Sequence, residues 1–114
     1  MKVYELIKAY SYNMTDDVIV KMESDTNNQL DARTIFNWNA DDNRHPDDGS
    51  YANPLWYMPD DIATAEVTSF NVVPHNLVID NHIYNTGKAD TLYIIIPSYS
   101  RLYKYFEDDN YPFI

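Results

Sequence analysis

The chain has no cysteine, only two glycines, and eight Lys and Arg residues against 18 Asp and Glu. Without cysteine, disulfide frameworks and thiolate zinc sites are excluded, and the fold must hold together by packing alone. With glycine only at Gly49 and Gly87, the Gly-rich loops that cradle nucleotide phosphates cannot be assembled. The lack of clustered Lys and Arg argues against direct binding to nucleic acid or anionic lipid, since phosphate contacts need such clusters. Long apolar runs are missing too. The longest, Leu92 to Pro97, falls far short of the ~20 residues of a membrane-spanning helix. The opening MKVYELIKAY carries charges inside its apolar pattern, so neither an export leader nor a membrane anchor is expected. A cysteine-free chain of this kind suits a reducing compartment, and a cytoplasmic location is the expectation.

What the chain does have is acid and aromatics. Its 114 residues are the length of one domain, expected to span 1–114, and 45% hydrophobic and 15% aromatic content supplies a core. The formal net charge is −10. Ten of the 14 Asp form five pairs: Asp16-Asp17, Asp41-Asp42, Asp47-Asp48, Asp60-Asp61 and Asp108-Asp109. Asp is favoured in turns and at helix starts, and net charge keeps proteins soluble, so each pair has a bland explanation beside any functional one.

Hydrophobic spacing predicts an α+β fold: an N-terminal amphipathic helix on a mostly antiparallel sheet of about five strands. Val3, Leu6, Ile7 and Tyr10 recur at helical spacing from Lys2 to about Ser11. Val18, Val20 and Met22 alternate with Ile19, Lys21 and Glu23 in a β-rich run read as strand one. After turn residues 24–28, Leu30, Ala32, Thr34, Phe36 and Trp38 share one face of strand two, opposite Asp31, Arg33 and Asn37. A long acidic loop from Asn39 to Asp61 follows between strands two and three, with one helical turn at Pro59-Asp60-Asp61. Ala65 to Val73 and Leu77 to Tyr84 read as two further strands around a turn at Pro74-His75-Asn76. Thr91 to Pro97 is apolar on both faces, which places it at the centre of the sheet or under cover on both sides. Arg101, Leu102 and Lys104 suit a helical turn in an aromatic tail.

Serine-nucleophile elbows and zinc-protease helices are missing, and no cofactor or metal site is expected. Asp41 to Gly49 resembles a calcium loop only superficially: Pro46 intrudes, the glycine is misplaced, and Ala52 stands where the bidentate Glu belongs. His45 and His75 have no partners at ligand spacing. Asp80, His82 and Tyr84 would share a strand face and could do acid-base work if sunk in a pocket, although a solvent-facing strand histidine is commoner. A binding role has more to draw on. Asp41, Asp42, Asp47, Asp48, Tyr51, Trp56, Tyr57, Asp60 and Asp61 interleave carboxylates with aromatic rings. The carboxylates can stand in for phosphates and the rings for stacked bases or interface anchors, facing a basic nucleic-acid-binding protein. The alternative is that the rings cap the core and the acids solvate the loop.

Val3-Tyr4-Glu5-Leu6-Ile7, Asp17-Val18-Ile19-Val20-Lys21 and Glu66-Val67-Thr68-Ser69-Phe70-Asn71-Val72-Val73 resemble segments of small uncharacterised phage and mobile-element proteins of low-GC Gram-positive bacteria. The likeness covers the helix and strand segments and leaves the long loop and tail unmatched. It implies an accessory protein, and acidic examples resemble anti-CRISPR and antirestriction inhibitors. These share no common motif, so no binding residue carries over. The expected function is therefore a non-enzymatic inhibitor that occupies the nucleic-acid groove of a defence nuclease such as a CRISPR effector. Two alternatives stand beside it: a phage assembly module that self-associates, for instance as a homodimer, through the aromatic tail and an exposed strand edge, and a small enzyme or ligand-binding protein using Asp80 and His82.

Overall fold

Helical spacing at the N-terminus gives a short helix, α1 (Val3–Tyr10), which buries Val3, Leu6 and Ile7. The computed structural model describes residues 1–10, 16–24, 32–74, 76–85 and 90–106. Eight residues are too few for a helix to persist alone in water, so its packing holds it. The Lys2 N–H donates to Glu5 Oε1 at 2.9 Å, half of a capping box at the helix start. A backbone bridge between Lys2 and Glu66, with Val3 N–H on the Ala65 carbonyl at 3.0 Å, fixes the entry of the chain.

The main sheet is mixed and four-stranded, in the order β2-β1-β6-β3. β1 (Asp17–Met22) runs antiparallel to β2 (Arg33–Trp38) and parallel to β6 (Thr91–Ile96), which pairs antiparallel with β3 (Ser69–Val73). The alternation of Val18, Val20 and Met22 places all three on one face beside Leu92, Ile94 and Ile96 of β6. Leu6, Ile7, Met58, Ile62 and Leu102 complete this core. Each such side chain contributes roughly 1.5–3 kcal/mol on removal from water. β6 is a central strand, as its apolar run suggested. Tyr93 and Ile95 on its other face are half-buried, and Lys21 Nζ lies 5.7 Å from the Tyr93 ring centre.

Three features depart from expectation. Among the described residues there are six strands in two sheets, with the second formed by β4 (Asn76–Ile79) and β5 (His82–Asn85). The single strand expected over Leu77 to Tyr84 is broken because Asp80 and Asn81 take positive φ values of 50° and 67° and reverse the chain. These are the two central positions of a tight hairpin turn, where Asn and Asp are tolerated. In β2 the pairing slips: Val20 faces Phe36 but Lys21 faces Thr34, leaving Ile35 as the extra, buried residue of a bulge. Beyond it the faces exchange. Thr34 leaves the Phe36–Trp38 side, and Arg33 joins it with its guanidinium 5.2 Å from the Phe106 ring centre. Residues 25–31, which carry the expected first turn, Leu30 and Asp31, lie outside the described residues, as do His75 and residues 107–114.

The connection from β2 to β3 carries a 3₁₀ turn at Pro54–Trp56 and a four-residue helix, α2 (Asp60–Ala63). A longer 3₁₀ helix, Ser100–Tyr105, follows β6 and buries Leu102.

Candidate functional site

Residues 39–50 are shaped by their own polar side chains. Asn39 Oδ1 accepts the Asp42 N–H at 3.0 Å, and Asn43 donates its side-chain amide to the Asn39 carbonyl at 2.7 Å. The buried Ala40 anchors this stretch to the sheet by donating its N–H to Asp17 Oδ1 at 2.8 Å. The next turn closes through His45 N–H on the Ser50 carbonyl and Gly49 N–H on the His45 carbonyl, both at 2.8 Å. Gly49 has φ of 72°, where a side chain would be strained. Asp48 accepts the Ser50 N–H at 2.9 Å, and that bond holds its carboxyl below the ordinary value.

Asp41 and Tyr51 meet through a residue the sequence did not single out. Arg44 lies 4.3 Å from the Tyr51 ring centre, pairs with Asp41 at 3.1 Å and contacts the Tyr51 hydroxyl. Part of the acidic charge is thereby answered internally. Asp42, Asp47 and Asp48 are exposed, and no Lys or Arg among the described residues forms an ion pair with them.

From Asn53 onward, backbone geometry sorts the side chains. Asn53 Oδ1 accepts the Leu55 N–H at 2.9 Å and opens the 3₁₀ turn, with Pro54 suited to its first position. Pro54 and Met58 are buried, and this turns Trp56 and Tyr57 outward, 71% and 61% exposed. The Tyr57 ring still leans on Trp38, with centres 5.3 Å apart. Trp56 and Asp60 line a shallow cleft of about 360 Å³ together with Tyr4, Lys8, Leu55 and Thr64. Lys8 Nζ sits 5.3 Å from the Tyr4 ring centre. Tyr4 and Lys8 are four apart on α1, so the sequence implied their adjacency. Nothing in it said which loop would face them.

Asp61 points the other way. It accepts a hydrogen bond from the Tyr105 hydroxyl at 3.2 Å and pairs with Lys104 at 3.7 Å. The nine residues expected to recognise a partner thus resolve into an Asp41–Tyr51 group around Arg44, exposed Asp42, Asp47 and Asp48, a Trp56–Asp60 cleft, Tyr57 against Trp38, and Asp61 engaged in tertiary packing.

Asp80 lies in the β4–β5 turn and not on a strand face with His82 and Tyr84. All three are exposed, and the His82 and Tyr84 rings are 6.3 Å apart. Among the described residues, no group of three or more His, Asp or Glu is placed to hold a metal ion, and no helix is long and apolar enough to cross a membrane. Comparisons with protein-family models, with curated proteins and with solved structures found no match in any of the three.

Proposed function

We propose that this chain is a phage or mobile-element protein that inhibits a host defence nuclease, such as a CRISPR effector, by occupying its nucleic-acid groove as a stoichiometric mimic. The observation that carries the reading is the cleft shared by the Trp56 indole and the Asp60 carboxylate. A guanidinium entering it meets the Trp56 face and the Asp60 carboxylate, the pairing that suits an arginine from a nucleic-acid groove, while Lys8 on the same lining offsets part of that negative charge. Exposed Asp42, Asp47 and Asp48 supply further negative charge, and the net charge of −10 favours fast, salt-sensitive association with a basic surface. The action needs no cofactor and no catalytic residue.

The test is capture of candidate CRISPR and restriction nucleases by the tagged protein, followed by salt titration and competition with guide RNA or target DNA. The expected outcome is a complex that weakens with salt, excludes nucleic acid, and loses at least about tenfold in affinity, about 1.4 kcal/mol, in Trp56→Ala with Asp60→Asn. Capture of no nuclease at low salt, or a complex that binds nucleic acid undiminished, overturns the reading.

A further inference from the structure

We infer that the β4–β5 hairpin is a self-association arm, and that its occupant is the hairpin of a second copy, with the Val78–Ile83 faces apposed about a two-fold axis. This is independent of the proposed inhibition. A lone two-stranded hairpin is at best marginal in water and needs a third strand or a packed face. This one presents apolar side chains on both faces. Val78 and Ile83 are directly opposite each other and 64% and 71% exposed, while Ile79 and Tyr84 on the other face are 49% and 51% exposed. β3, which precedes the hairpin in sequence, is an edge strand of the main sheet with Phe70, Val72 and Val73 partly exposed.

Charge selects the occupant. Charged residues make up 23% of the chain, yet from Val67 to Asn85 there is one, Asp80, and it sits at the hairpin turn. No Lys or Arg occurs between Arg44 and Lys88. A surface for a basic partner would carry acids, and one for an acidic partner would carry bases; this arm carries neither across its faces. In a protein of net charge −10, a neutral strip is the surface on which two copies can meet without opposing carboxylates. A two-fold contact between identical patches then follows the commonest oligomer symmetry. The apposed face offers Val78 and Ile83, 64% and 71% exposed, so the contact buries far less than the ~800 Å² per partner of a standard interface. The dimer is accordingly expected to be weak, with a dissociation constant on the order of micromolar to 100 µM.

The chain lacks cysteine, so single-cysteine variants report proximity without background. Ile83→Cys is expected to form a disulfide-linked dimer under mild oxidation, whereas Ser50→Cys, on a different loop, stays monomeric at the same concentration. Sedimentation equilibrium of the unmodified chain should show a dimer that persists or tightens with added salt. Ile83→Glu, at a position open enough to leave folding intact, should raise its dissociation constant at least about tenfold, and Val78→Glu should do the same. A monomer throughout the range to 1 mM (about ten times the weakest expected constant), or a dimer indifferent to both Glu variants, overturns the assignment. So does equal cross-linking at residues 50 and 83.

Discussion

The Tyr105 hydroxyl donates to Asp61 Oδ2 at 3.2 Å, a contact that ties α2 to the Ser100–Tyr105 helix across 44 residues of sequence. Asp61 also pairs with Lys104, and its other oxygen is buried without a hydrogen-bond partner among the described residues. Hydrogen bonds to charged groups contribute about 1.5–3 kcal/mol before solvent exposure reduces them. Asp61→Ala is therefore expected to lower stability by about 1–2 kcal/mol in urea unfolding, and Tyr105→Phe by about 1 kcal/mol. Combining Tyr105→Phe with Asp61→Ala should cost less than the two separate losses together, since both remove the same bond. Asp60→Asn, one residue away on an exposed position, should stay within about 0.5 kcal/mol of the parent.

Adjacent Asp60 and Asp61 show where sequence reading stopped. Each residue of a helix turns the side-chain direction by about 100°, so one of two neighbouring carboxylates can face a cleft while the other faces Tyr105. Only the docking of a distant segment decides which. The α1 stripe of Val3, Leu6 and Ile7 and the β1 alternation of Val18, Val20 and Met22 were legible because burial follows local period. The parallel pairing of β1 with β6 was not, since it joins segments some 74 residues apart through no local signal. At Ile35 a bulge exchanged the faces of Arg33 and Thr34, and strict alternation cannot foresee that. The hairpin turn did leave a trace: Asp80-Asn81 is a polar pair between apolar runs, weaker than Asp-Gly but of the same chemistry.

That turn yields a direct test. Asn81 holds φ of 67° without the freedom of glycine. Asn81→Gly should stabilise the hairpin by up to about 1 kcal/mol, and Asn81→Val should destabilise it by more, because β-branched residues strongly disfavour this region. Hydrogen exchange at the strand amides of residues 76–85 would slow in the first variant and accelerate in the second. Identical exchange in both would mean that the turn does not set the hairpin's stability.

The two tryptophans have opposite surroundings and can be read separately. Trp38 is 5% exposed against Phe36 and Tyr57, while Trp56 is 71% exposed. Trp38→Phe leaves only Trp56, whose emission should be red-shifted and readily quenched by acrylamide. Trp56→Phe leaves Trp38, which should emit to the blue and resist quenching. Truncation should separate them again: Trp38→Ala is expected to cost about 3–5 kcal/mol, and Trp56→Ala under about 0.5 kcal/mol. Equal quenching of the two single-tryptophan proteins would contradict these placements.

Acid crowds the start of β1. Burial, and then the neighbouring Asp90 and Asp17 carboxylates, push the Asp16 carboxyl above its ordinary value of 3.8. The Asp17 N–H meets the Asp90 carbonyl at 2.9 Å, so the parallel pairing of β1 with β6 itself brings the acids together. A carboxyl whose folded pKa is raised binds its proton more tightly when folded. Its unfavourable contribution is absent below the unfolded value, grows as pH rises through the folded one, and is complete at neutral pH. Asp16→Asn should therefore stabilise the protein at pH 7, by less than about 1 kcal/mol because the group is partly solvated, and raise Tm by no more than a few degrees. The gain should fade as pH falls towards 3. Thermal melts of parent and variant between pH 3 and pH 7 would show it as a widening gap in Tm, and a gap that is constant or widest at low pH would mean that Asp16 is not strained by its neighbours.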